Sequence, residues 1–194
     1  MVKVTVVTDL PLAGGQNPMT GQMDPPWTFY TQLQQLYSPE LLGSDTVPLP
    51  SDTDVLLLIH PQNLSDELLY QIDQYALNGG KVMAFVDPHN ESDPMAMMAG
   101  AMSANGSNLE TLFKAWGVEF DGQNVLLDAM AGLDIRTQTG GVTRHFGFVG
   151  LSSDQLDRKD VATANLELIN GASFGTLKLA ESANSQLTPL STLL

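Results

Sequence analysis

The sequence has no cysteine, few basic side chains and no long apolar run. Without cysteine there can be no disulfide, no thiolate metal ligand and no thiol nucleophile. The compartment stays open, because a cysteine-free domain suits either side of a membrane. Only 8 Lys and Arg stand against 22 Asp and Glu, a formal charge of −14. So acidic a chain repels phosphate backbones, which argues against nucleic acid as a partner. The simplest role of the charge is solubility. No stretch approaches the roughly 20 apolar residues that span a bilayer. Met1-Val2-Lys3-Val4 also lacks a signal peptide's apolar region. The chain is therefore expected to be soluble as given. Thr188 to Leu194 closes on apolar side chains without a charge, as a cut within a longer protein would.

Nucleotide-binding loops are missing too. No Gly-x-Gly-x-x-Gly follows the first apolar run, and no Gly-Lys-Ser/Thr loop occurs. This chain is therefore not expected to hydrolyse ATP.

What is present is enough for a core: 43% of the 194 residues are hydrophobic. The β-branched run of Val2, Val4, Val6 and Val7 predicts a first strand ending near Thr8-Asp9. A Gly/Pro/Asn-rich loop follows from Pro11 to Pro26. Trp27, Tyr30, Leu33, Leu36 and Tyr37 recur at helical spacing, with Gln32, Gln34 and Gln35 outward. The segment from Asp54 to Pro88 reads as strand, helix and strand. Val55 to Ile59 is apolar on both faces, as an interior parallel strand is. His60-Pro61 ends it. Ser65 offers an N-cap, with Asp66 and Glu67 at the positive end of the dipole. Leu68, Leu69, Ile72, Tyr75 and Ala76 form the stripe, and Gly79-Gly80 stops the helix. Val82 to Val86 is the next strand, and so short a crossover implies parallel pairing.

Beyond it, His89 to Gly106 is a loop with Met95, Met97, Met98 and Met102, read as partly buried rather than as a contact surface. Ser107-Asn108-Leu109-Glu110 predicts a capping box on a helix to Trp116. Val118–Phe120, Val125–Leu127 and Arg144–Leu151 predict strands; Asp160–Asn170 is ambiguous, with Val161, Ala164, Leu168 and Ile169 suiting a short helix, the favoured reading, and Leu166 and Leu168 alternating as in a strand. The expected fold is α/β, a mostly parallel sheet with helices on both faces. One domain is expected over 1–194, with an α/β core at 1–130 and a less regular portion at 131–194.

These blocks, taken in order, resemble a known family. Pro26-Trp27 with Gln32 to Tyr37 is similar to its opening. Val55 to Pro61, Leu64-Ser65, Ile72 to Tyr75, Gly79-Gly80-Lys81 and Asp87-Pro88 resemble its central signature. Leu109 to Val118, then Asn170 to Gly175 and Pro189-Leu190, resemble its later parts. The family is the auxiliary component of gliding-motility-type ABC transport systems, with related domains in an intraflagellar transport protein. The resemblance implies a scaffold similar to class I glutamine amidotransferase domains, without catalysis. It implies a domain on the extracytoplasmic (periplasmic) face of the inner membrane, held by membrane segments this chain lacks. Permease and ATPase subunits are the implied partners. No cofactor and no site residue follows from it. The amidotransferase reaction needs a cysteine, and this chain has none.

Two constellations remain. Gly171-Ala172-Ser173-Phe174-Gly175 matches a nucleophile-elbow pattern. However, His60, His89 and His145 all precede it, and Thr176 to Leu179 looks like a strand where a helix is needed. A glycine-flanked turn is the expectation. Asp9, His60, Asp87 and His89 fall at the C-terminal ends of expected parallel strands, where open α/β sheets bind ligands. They are the candidate binding residues. Two imidazoles and two carboxylates also suit a divalent metal, so a metal-dependent hydrolase is the alternative function. The His spacing is too loose to indicate a metal motif. A carbohydrate-binding module is a third class, with no specific support. The leading expectation is a non-enzymatic auxiliary domain that binds a partner subunit or a transported substrate.

Overall fold

The computed structural model describes residues 1–17, 20–93, 106–137 and 139–181. A four-stranded parallel sheet organises its first half. Strands β1 (Lys3–Val7), β4 (Ser38–Leu42), β5 (Val55–Ile59) and β6 (Lys81–Phe85) lie in the order β4-β1-β5-β6. β2 (Gly15–Gln16) and β3 (Met23–Asp24) form a small ribbon in the loop after β1. The chain leaves β1 to one side and later returns to its other side. A topological switch point therefore lies between β1 and β5.

Alternation along the strands assigns the two faces. Val4, Val6 and Leu57 meet Tyr30 of helix α1 (Thr28–Leu36), with Trp27 and Leu33 beside it. Val7, Leu56 and Leu58 meet Leu68 and Ile72 of α2 (Asp66–Leu77) and Leu112 and Phe113 of α3 (Glu110–Trp116). Helices thus cover both faces, as expected. Ser65 caps α2 by accepting the Leu68 N–H at 3.2 Å, a cap worth about 1 kcal/mol. Gly79 follows α2 with φ 85°, which glycine adopts without steric cost.

The second half is antiparallel, so the sheet system is more mixed than expected. β8 (Gly132–Arg136), β9 (Val142–Ser152) and β10 (Leu168–Ala172) pair in the order β10-β9-β8. β7 (Val118–Phe120) pairs with β11 (Leu177–Leu179). Among the described residues, no helix is long and apolar enough to cross a membrane.

Several local expectations are corrected. Asp160–Asn170 is not a helix: turns fill it up to Asn165, and Leu168 onward pairs with β9 instead. Val125–Leu127 is not a strand; it runs alongside as a connector, with the Leu126 N–H on the Phe174 carbonyl. Leu36, the last residue of α1, and Tyr37, its C-cap, are exposed rather than part of the α1 stripe. The capping box at Ser107 does not form. Leu109 occupies the N-cap without a side-chain bond, because the Ser107 hydroxyl is engaged elsewhere. The methionines 95, 97, 98 and 102, and Pro189-Leu190, lie outside the described residues.

Candidate functional site

β5 and β6 end side by side, and their C-terminal residues form a buried polar cluster. His60 follows β5 directly. Its N–H donates to the Phe85 carbonyl at 3.0 Å, and its φ of 47° turns the chain sharply away. A non-glycine residue there is strained, and such strain persists where the surroundings over-determine it. The ring is 3% exposed. Its Nδ1 is 3.1 Å from the Ser107 hydroxyl and 4.0 Å from an Asp87 carboxylate oxygen. Its Nε2 is 4.0 Å from Asp93. Ser107 is itself bound twice more: its hydroxyl accepts the Asp87 N–H at 3.0 Å, and its N–H donates to the Asp87 carbonyl at 2.7 Å.

The cluster extends into the antiparallel half. The Ser173 hydroxyl donates to the Glu91 carboxylate, and the Ser173 N–H donates to the Gly147 carbonyl at 2.8 Å. Ser173 has φ 50° and is buried. Glycine is required on both flanks of Pro88. A Cβ at Gly106 would stand 2.8 Å from the Pro88 carbonyl oxygen, and one at Gly175 would stand 2.9 Å from the Pro88 ring.

Of the four candidate residues, the structure brings His60 and Asp87 together. Asp9 is exposed at the end of β1, where its carboxylate accepts the Ser44 N–H at 2.9 Å and holds the turn after β4. His89 is half-buried and makes no hydrogen bond or ion pair with another described residue. Among the described residues, no group of three or more His, Asp and Glu side chains is placed to hold a metal ion. The four do not converge, because β1 ends beside the turn after β4, while β5 and β6 end together. Asp93, Ser107, Glu91 and Ser173 are cluster members that sequence reasoning does not place there. Asp93 and Glu91 carry no signal, being loop acids. Ser107 does carry one, but it is that of a cap.

The chemistry of the cluster is mostly adhesive. Ser107, His60 and Asp93 make a serine–histidine–acid set in composition. Yet the Ser107 oxygen is buried and already accepts a backbone N–H, so it is not presented to a reactant. Ser173 lacks the helix and histidine of an elbow; its hydroxyl serves Glu91, and β11 follows. Each bond instead ties one chain segment to another.

Burial pushes the Asp87 carboxyl above its ordinary value of 3.8. His60 pulls it down, and Glu91 pushes it up further. Folding therefore favours the protonated form of Asp87 more than the unfolded chain does. Its contribution to stability is present below the unfolded value and lost as pH rises through the raised folded value. Asp87→Asn should accordingly be neutral to slightly stabilising at pH 7. The gain should be a few tenths of a kcal/mol at most, because the side chain is 38% exposed and solvent screens it. Urea titrations of both proteins at pH 7 and pH 3 check this. A variant clearly weaker than the parent at pH 7 would contradict the sign.

Comparison with known proteins adds one finding. No curated protein and no solved structure matches the chain. A family model described as "ABC-type uncharacterized transport system" matches residues 2–192. That span takes in both the parallel sheet and the antiparallel half, and the chain accordingly belongs to this family of auxiliary components of ABC-type transport systems.

Proposed function

We propose that this chain is a non-enzymatic binding domain of an ABC-type transport system, working on the extracytoplasmic face of the inner membrane. Its partners are the permease and ATPase subunits, contacted by the whole gene product; the membrane is reached through segments outside this chain. In this reading 1–194 is one α/β domain. Kinship with gliding-motility-type systems, with an intraflagellar transport domain and with class I glutamine amidotransferase scaffolds belongs to the same proposal. Besides family membership, one observation supports it most. The polar groups at the C-terminal ends of β5 and β6 are spent on one another, with Ser107, His60 and Asp93 at 7%, 3% and 6% exposure. That is how a scaffold is braced. It leaves Asp9 and His89, at the same sheet edge, as the more accessible groups for contact.

Affinity purification of the tagged, full-length gene product from membranes of its own organism tests this. The expected result is recovery of an ABC-type ATPase and a multi-span permease. If neither is recovered, even after chemical cross-linking, the proposal falls.

A further inference from the structure

The longest strand of the antiparallel half is paired unevenly. β9 has β10 on one edge only from Phe148 to Ser152, while β8 lies along its other edge as far as Val142. Over Val142–His145 the sheet is therefore two strands wide among the described residues. All four residues are exposed, Val142 at 68%. A two-stranded ribbon is marginal in water, and a third strand is what stabilises it.

The register shows which backbone groups are free to take one. At the end of the ribbon the Thr137 N–H donates to the Gly141 carbonyl at 2.8 Å. From that pair the register runs unbroken to Leu133 and His145. Hydrogen-bonded pairs alternate with non-bonded ones along an antiparallel ladder. Thr143 and His145 therefore bond to β8. Val142 and Arg144 turn their N–H and carbonyl groups outward, to the edge that β10 fills further along. The open stretch ends at Phe146, whose carbonyl accepts the Asp128 N–H at 2.9 Å.

Charge says what suits this edge. Residues 1–130 hold 16 acidic and 3 basic side chains, a net −13. Residues 131–194 hold 6 and 5, a net −1. An acidic segment is repelled by the first part and not by the second. On the ribbon, Arg136 lies opposite Val142 and Asp134 opposite Arg144, so all four share one face, and all four are exposed. That face carries two cations and one anion. The nearby Asp128 carboxylate is engaged in its own turn, where it accepts the Met130 and Ala131 N–H groups. The Arg144 guanidinium gives one N–H to the Met130 carbonyl at 2.8 Å and keeps its charge.

We propose that the Val142–Arg144 edge of β9 takes an extended segment of another transport subunit as an added strand, with an acidic side chain of that segment beside Arg144. This rests on the function proposed above and names the surface that serves it. Main-chain hydrogen bonds to Val142 and Arg144 give the attachment, and the charged face selects the segment. The added strand continues the line of β10, so the sheet becomes three strands wide along all of β9. A second copy of this chain is disfavoured, because it brings two molecules of charge −14 together.

The test uses the full-length protein in its own membrane. A photo-crosslinking residue replaces Val142 or, as a control, Tyr70 of α2, which is 64% exposed. The expected adduct forms at Val142, on a segment of another transport subunit that contains Asp or Glu. Two variants then separate charge from backbone. Arg144→Gln loses the charge and keeps the outward N–H, and should cut the adduct a few-fold. Arg144→Pro also loses the N–H, which the ladder with β8 does not use, and should cut it about tenfold or more. Arg144→Glu, which keeps the N–H and repels an acidic strand, should cut it as strongly and serves where the proline variant does not fold. An adduct at Tyr70 but not Val142, an adduct with a second copy, or equal yields for Arg144→Glu and the unaltered residue would overturn the proposal. So would a folded Arg144→Pro no weaker than Arg144→Gln. In those cases the auxiliary reading survives if transport subunits still co-purify with the unaltered protein. If they do not, that reading fails first.

Discussion

Leu58→Ala should lower the stability of the domain by about 3 kcal/mol, within the roughly 2–5 kcal/mol range of leucine truncations in closed cores. Leu58 is fully buried in β5, the strand hydrogen-bonded on one side to β1 and on the other to β6. Its cluster includes Leu56, Leu68, Ile72 and Leu112. The sheet beneath and the helices above are both rigid, so the space left behind would collapse little. Met83→Ala, one strand away and half-exposed, should cost under about 1 kcal/mol. Urea midpoints at constant slope measure both. Similar losses for the two would mean that β5 is not the interior strand.

The second large effect is expected at His60. His60→Ala should cost about 2–4 kcal/mol, and its cause differs from that at Leu58. The ring is contacted at Nδ1 by Ser107 and stands 4.0 Å from both Asp87 and Asp93. Taking it away leaves a buried hydroxyl and the nearly buried Asp93 carboxylate facing a void. His60→Asn should recover part of the loss. Asparagine keeps a polar group there and tolerates the left-handed backbone better than most residues. A loss below about 1 kcal/mol for His60→Ala, with loss of transport in cells, would reverse the assignment. His60 would then serve a ligand rather than the scaffold.

Much of the parallel half is legible because its signals are local. Val55–Ile59 is apolar on both faces, Ser65 caps its own helix, and Gly79 takes the conformation that ends it. β4 shows the opposite case. Ser38-Pro39-Glu40-Leu41-Leu42 has a proline and a glutamate, and nothing local makes it a strand. It is one because β1 offers it an edge, and an edge tolerates proline. β10 is hidden likewise: Val161, Ala164 and Leu168 keep a helical period, but β9 supplies the pairing that decides. At the site, the strand-end rule points to His60 and Asp87. Asp9 lies apart from them, because β1 and β5 end beside different loops. Ser173 matches a motif whose chemistry it does not perform. Its real partner, Glu91, lies 82 residues away, a separation that no pattern in the sequence encodes.

The strand order β4-β1-β5-β6 has a consequence for how the chain comes together. β1 precedes the other described strands, and nothing near it in sequence can complete its pairing. Its second neighbour is β5, and the Lys3 N–H bonds to Asp54, 51 residues on. Closing so long a loop costs entropy before any packing returns it. During synthesis Val4, Val6 and Val7 therefore remain an unpaired apolar edge until Val55–Ile59 has followed. β1 is thus sheltered on both edges only once a strand some fifty residues later has emerged.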